Sequence, residues 1–245
     1  MFYSIIVPCY NCDDTIARLL DSILDQNFPD LEVILVDDTD NHSFLKEVEP
    51  YKEKLNIKIV NTELKYHNPG NSRNQGLEVA QGDWVLFIDC DDTFRENALI
   101  LFKSYIDTQY SPCYFAAVKQ FHEDGTEYTK AEEYQAKHIV WTHGKCYNRQ
   151  FLNDCGIRFK PDMKSCEDYW FNYMVLANII NQGLTYIDIP EYVYNWLWNP
   201  KSLSRSTLYF LSIKEHFYDH LEASLIPWTL IAYPNQTQGV FEWYM

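Results

Sequence analysis

The chain is poor in positive charge. Its 245 residues carry 20 lysines and arginines against 35 aspartates and glutamates, a formal net charge of −15. A surface for duplex nucleic acid needs clustered Lys and Arg to displace counterions, so bulk nucleic-acid binding is not expected. A small anionic ligand stays possible, because one divalent cation inverts the local sign. Long apolar runs are also missing. No stretch of about eighteen apolar residues occurs, and no basic segment followed by an apolar one opens the chain, so neither a transmembrane helix nor a secretory leader is expected. The first apolar run, Tyr3 to Val7, has strand length and stops at Pro8. The seven cysteines include a Cys9-x-x-Cys12 that lacks the second pair a zinc ribbon requires. Reduced thiols in a cytoplasmic protein are the simplest reading. The sequons at Asn41 and Asn235 carry no weight without a secretory route. Repeats, low-complexity tracts and linkers are absent too, and 47% apolar residues suffice for one large domain or a domain with a small appendage.

What is there alternates strand and helix through the first half. Ser4 to Val7, Glu32 to Val36, Ile57 to Val60 and Trp84 to Ile88 read as short apolar strands, the pattern of strands covered on both faces. Between them, a helix is predicted to about Gln26, with Ile16, Leu19, Leu20 and Ile23 on one face. A second follows the loop at Gly70 and runs to Ala80, and a third spans about Glu96 to Ile106. Such alternation implies a mostly parallel sheet with right-handed crossovers, whose ligands sit beyond the carboxyl ends of the strands. Three of those ends carry polar clusters: Pro8-Cys9-Tyr10-Asn11, Asp37-Asp38, and Asp89 to Asp92. The second half is less regular, with a strand over Tyr114 to Phe121 and helices near Cys166 to Asn178 and Ser206 to Leu221.

Asp89-Cys90-Asp91 places two carboxylates directly after a buried strand. Hard oxygens in that position suit Mg²⁺ or Mn²⁺, which neutralise a diphosphate leaving group. The same residues would also serve as a solvated acidic turn capping the next helix. Asp38 can receive a nucleobase N–H or cap a helix; Tyr10 can stack on a base or pack on the sheet edge. Arg73, at a helix entrance, suits a phosphate contact or an ordinary surface position. Glu167 and Asp168 open a helix, where carboxylates are common dipole partners. A carboxylate there can also act as a general base on an acceptor hydroxyl.

Taken together, these segments resemble the family 2 glycosyltransferases. Ser4-Ile5-Ile6-Val7-Pro8-Cys9-Tyr10-Asn11 is similar to that family's S-I-I-V-P-x-Y-N strand and loop, and Val36-Asp37-Asp38 to its V-D-D. Gly70 to Leu77 resembles G-x-x-x-A-R-N-x-G-L from the alanine place onward, which Ser72 fills. Phe87-Ile88-Asp89-Cys90-Asp91-Asp92 matches F-L-D-x-D-D, and Cys166-Glu167-Asp168 stands for G-E-D. The resemblance covers about residues 2 to 205 and implies the GT-A fold, a Rossmann-like sheet flanked by helices. It implies a catalytic domain over 1–205, with a nucleotide-binding half at 1–110 and an acceptor-binding half at 111–205. A C-terminal helical extension, 206–245, would follow, packed over the acceptor cleft or making an oligomer contact.

By this resemblance, Pro8, Tyr10 and Asp38 would hold the base of a nucleotide-sugar, with UDP the expected nucleotide, and Arg73 would lie near it. Asp89 would touch ribose or metal, Asp91 would bind Mn²⁺ or Mg²⁺, and Asp168 would be the base of an inverting transfer, oriented by Glu167. Where many relatives place a metal-binding His, this chain has Asn199. His143, Trp196 and Trp198 fall where an acceptor, expected to be a saccharide, would meet the protein; structural packing is the alternative for each. Other readings predict different features. Transfer to a lipid phosphate would want a basic or amphipathic docking surface. A sugar-nucleotide pyrophosphorylase would want a Gly-rich basic loop where Pro8 to Asn11 stand. An inactive scaffold would need neither Asp91 nor Asp168.

Overall fold

Strand β1 (Tyr3–Cys9) is buried along nearly its whole length, so its alternating side chains must serve two opposite cores. Tyr3, Ile5, Val7 and Cys9 join one apolar cluster, and Ile6 enters the other. Its parallel neighbours β2 (Leu31–Asp37) and β4 (Trp84–Phe87) divide in the same way. Leu31, Val33, Leu35, Trp84 and Leu86 face one side; Ile34, Val36, Val85 and Phe87 face the other. This two-sided burial explains why the strands read as continuous apolar runs.

In the computed structural model, which describes residues 1–62, 68–122, 124–127, 141–163, 167–197 and 199, eight strands form one sheet in the order β3-β2-β1-β4-β7-β6-β8-β5. The remaining strands are β3 (Ile57–Asn61), β5 (Thr93–Phe94), β6 (Cys113–Phe121), β7 (Lys145–Asn148) and β8 (Ile187–Leu197). β3 also runs parallel to β2, and β6 to β8, while β7 lies antiparallel between β4 and β6, and β5 antiparallel to β8. Helices α1 (Ile16–Leu24) and α4 (Ala98–Thr108) cover one face, burying Leu19, Leu20, Leu99 and Phe102. Helices α3 (Pro69–Val79) and α6 (Glu167–Asn181) cover the other through Leu77, Phe171, Val175 and Ile179. Two short helices, α2 (Leu45–Val48) and α5 (Arg149–Asp154), and a 3-10 turn over Glu49–Tyr51 complete the described elements.

Gly76 lets α3 rest directly on β1: a Cβ there would stand 2.4 Å from Ile6 Cγ2. Gly70 does the same between α3 and α6, since its Cβ would meet Glu167 Cγ at 3.0 Å. The first two strands and β4 are adjacent, which sets the loops after Cys9, Asp37 and Phe87 side by side at one sheet margin. No helix of the described residues is long and apolar enough to cross a membrane. The expected helix over Ser206 to Leu221, the extension 206–245 and the segment ending at Val140 lie outside the described residues.

Candidate active site

Arg73 organises the site. Its side chain projects from α3 with only 3% exposure, so it is not a surface residue. The guanidinium reaches Asp89 Oδ1 at 2.8 Å, Asp168 Oδ1 at 2.7 Å and Glu167 Oε1 at 3.2 Å. A planar fork of five donors is suited to such multiple pairing. Burial alone would lower the Arg73 pKa, but Asp168, Asp89 and Glu167 together hold it above its ordinary value. Carboxylates from two sequence-distant motifs thus surround Arg73 in place of the solvent that a surface position would give it. Its face also lies 5.4 Å from the ring of Phe159.

The acidic turn after β4 is held from beneath by β8. Asp92 is 1% exposed and accepts the Tyr194 hydroxyl at 2.6 Å and the Leu197 N–H at 2.8 Å. Burial, then Asp91 and Asp89, push the Asp92 carboxyl well above the usual range. The Asp89 N–H donates to the Tyr194 oxygen at 3.2 Å, so one tyrosine pins both ends of the turn. Burial also works against ionised Asp89, but Arg73 and His143 outweigh it and hold that carboxyl well below its ordinary value. Asp91 is raised by burial and by the neighbouring Asp89 charge, and its Oδ2 accepts the Asn199 amide at 2.6 Å. The residue that stands in the metal-ligating His position therefore does meet the Asp-x-Asp turn.

His143 is buried, with Nε2 3.2 Å from Asp89 Oδ2 and its ring stacked on Tyr194 at 4.7 Å. Its Nδ1 has no hydrogen-bond partner among the described residues. Asp89, Asp92 and His143 each offer a ligand atom within 4.8 Å of the others, a set capable of holding a cation. Trp196 lies 5.2 Å from Trp141 and 5.7 Å from His143, centroid to centroid, forming an aromatic wall. Trp198 lies outside the described residues.

Glu167 and Asp168 open α6. Burial, with Asp168 adjacent, raises Glu167 to about 7 even though Arg73 opposes the shift. Asp168 is 14% exposed on its side chain and accepts at Oδ2 from both the N–H and the hydroxyl of Thr142, each at 3.3 Å. Three donors thus occupy a carboxylate with about four lone-pair positions, which leaves room for an acceptor hydroxyl.

On the nucleotide side, Pro8 is half-buried and Tyr10 is 53% exposed at the mouth of the β1 loop. Asp38 accepts the Thr62 hydroxyl at 2.7 Å, whereas Asp37 turns inward to Thr39 and to His42 Nδ1 at 2.5 Å. Sequence reasoning missed Thr142, Tyr194 and Asn172. Thr142 neighbours the singled-out His143, but Tyr194 and Asn172 carry no local signal, since both look like ordinary core positions.

The model of the family described as glycosyl transferase family 2 matches residues 4–165. Among curated proteins, the chain is 33% identical over 188 residues to the poly(ribitol-phosphate) beta-N-acetylglucosaminyltransferase TarS of Staphylococcus aureus, covering 73% of this chain and 33% of that protein. It is 30% identical over 182 residues to a poly(ribitol-phosphate) beta-glucosyltransferase of Bacillus spizizenii, covering 70% of this chain and 29% of that one. The chain spans about a third of the length of these relatives. A crystal structure of S. aureus TarS 1-349 in complex with UDP-GlcNAc superposes with a TM-score of 0.75 at 26% identity, covering 92% of this chain and 68% of that one. With the strand-end motifs gathered at one margin and the family model spanning most of the chain, the protein belongs to glycosyl transferase family 2.

Proposed function

We propose that this chain transfers a hexosyl or N-acetylhexosaminyl group from a UDP-sugar to a hydroxyl of a saccharide or polyol-phosphate polymer, with inversion at the anomeric carbon. One observation carries the reading: Arg73 joins Asp89, on the donor side, to Glu167 and Asp168, on the acceptor side. Carboxylates from motifs 78 residues apart would not share a buried guanidinium if they capped separate helices. The relatives' names and the UDP-GlcNAc complex of TarS support the donor class.

Asp168 takes the proton from the acceptor hydroxyl, whose oxygen attacks the anomeric carbon as the bond to the diphosphate oxygen breaks. Arg73 and Thr142 hold the carboxylate plane for that transfer. Pro8, Tyr10 and Asp38 bind the base, and His143 with Trp196 forms a face for the acceptor. The residues fit a divalent cation. Asp89, Asp91 and Asp92 crowd one turn, burial and mutual repulsion raise the latter two, and Asn199 brings a neutral amide to Asp91. Asp91 and Asn199 would hold Mn²⁺ or Mg²⁺, with Asp89, Asp92 and His143 beside them. Such an ion, when bound, supplies Lewis-acid neutralisation of the departing diphosphate.

The test is thermal shift with UDP, with and without Mn²⁺, alongside transfer from UDP-GlcNAc and UDP-glucose to a ribitol-phosphate oligomer. UDP at about 100 times its Kd stabilises by about 2.7 kcal/mol. That gain is expected to require Mn²⁺ and to vanish in Asp91→Ala. Asp168→Asn is expected to keep the UDP response and lose transfer; unchanged transfer in that variant would refute the assignment of the base.

A further inference from the structure

Lys145 is a buried cation that the mechanism above does not use. It lies on β7 with 5% exposure and its ammonium donates to the Trp141 carbonyl; burial lowers its pKa to about 8, opposed by Cys113 and by the Asp168 carboxylate. Burying an ammonium without a paired carboxylate in contact is costly, and a methionine would fill the same volume without that cost. The same carbonyl also accepts the Asn172 side-chain amide at 2.9 Å. Asn172 is fully buried, and the Tyr147 hydroxyl donates to its Oδ1 at 2.7 Å, which orients the amide so that Nδ2 must face Trp141.

The Trp141 carbonyl and the Thr142 N–H belong to one planar peptide unit, so fixing the oxygen fixes the direction of the N–H. That N–H donates to Asp168 Oδ2. Asp168 and Asn172 sit at i and i+4 on α6, on one face of the helix. Helix α6 therefore grips a single peptide at both ends, its asparagine on the carbonyl and its aspartate on the N–H. The peptide dipole points its oxygen at an ammonium and its N–H at a carboxylate, an arrangement in which each contact polarises and strengthens the other.

We propose that Lys145 and Asn172 are positioning residues for the transfer reaction, acting through the Trp141–Thr142 peptide to hold the Asp168 carboxylate towards the acceptor hydroxyl. The inference rests on the reading of Asp168 as the base. A merely structural network would show its loss as lower stability; a positioning network shows it in turnover.

The experiment compares wild type, Lys145→Met and Asn172→Ala in kcat and KM for UDP-GlcNAc with a ribitol-phosphate oligomer. It adds thermal unfolding and the amide proton shift of Thr142 in a ¹⁵N-resolved spectrum. Asp168→Asn first identifies the carboxylate-bonded Thr142 amide by moving its signal upfield. Lys145→Met is then expected to move it the same way and to lower kcat about 10- to 100-fold, the scale of a misplaced catalytic group. Donor KM should stay within about twofold, because the donor side is untouched, and Tm should not fall. Asn172→Ala should reproduce the kcat loss and the upfield shift if Lys145→Met fails to fold. An unmoved Thr142 amide in either variant, or a kcat loss matched by a fall in Tm in Lys145→Met, overturns the proposal. Absence of any transfer by the wild type would instead sink the glycosyl-transfer reading, while the Thr142 signal still decides whether the clamp exists.

Discussion

Replacing Arg73 by methionine tests the site at its centre. The side chain is 3% exposed and meets three carboxylates at 2.7, 2.8 and 3.2 Å, so the variant leaves three negative groups around one apolar stem. Deleting one partner of a buried ion pair costs about 3–5 kcal/mol. The lower end applies here, since Asp89 is 34% exposed and retains His143 as a second partner. At roughly 2–4 °C per kcal/mol for a chain of this size, the expected fall in Tm is about 10 °C at pH 8. Glu167 already sits at about 7 with the guanidinium present, and without it the clustered carboxylates move further up. A carboxyl raised in the folded state penalises folding above its folded pKa, and the penalty fades as pH falls towards the unfolded value. The loss should therefore shrink between pH 8 and pH 5. Urea unfolding followed by the fluorescence of the seven tryptophans measures this directly. A loss below about 1 kcal/mol, or one that does not change with pH, would mean the guanidinium does not bind these groups together.

Other consequences are open to measurement. Glu167→Gln removes a group whose pKa rises from 4.5 to about 7 on folding. The variant should exceed wild type by about 1–3 kcal/mol at pH 8 and match it near pH 4; a constant difference would exclude the linkage. Asn199→His should lower the Mn²⁺ concentration for half-maximal UDP stabilisation by roughly tenfold, since imidazole is the stronger ligand; no change would separate Asn199 from the metal. Gly76→Ala places a methyl 2.4 Å from Ile6 Cγ2, and calorimetry should find a loss of about 1–3 kcal/mol.

Much of the nucleotide half was legible because its signals are local. A strand covered on both faces must be apolar throughout, as β1 and β2 are, and the polar residues that follow must lie at the strand ends. Helix α1 announced itself by a periodic apolar face, and α4 was placed as well, both with boundaries displaced by a few residues where the end turns fray. Strands β7 and β8 escaped. β7 is only Lys145–Asn148, with a buried lysine where an apolar residue would be expected, and β8 mixes exposed and buried positions without strict alternation. The domain limits proposed at residues 110, 205 and 206 rest on the resemblance.

The order and spacing of the acidic motifs, set by the sequence alone, determined where the carboxylates fall: a cluster after β4 and a pair at the start of α6. Only the tertiary structure decided who holds whom. Arg73 reads in sequence as a helix-entrance arginine suited to a phosphate or to the surface, and the fold buries it against Asp89, Glu167 and Asp168. Asp92 proves to be an anchor to Tyr194, 102 residues away. The reason is physical. Propensity and periodicity act over a few residues, whereas a buried charge takes its partners from whatever elements the sheet order brings beside it.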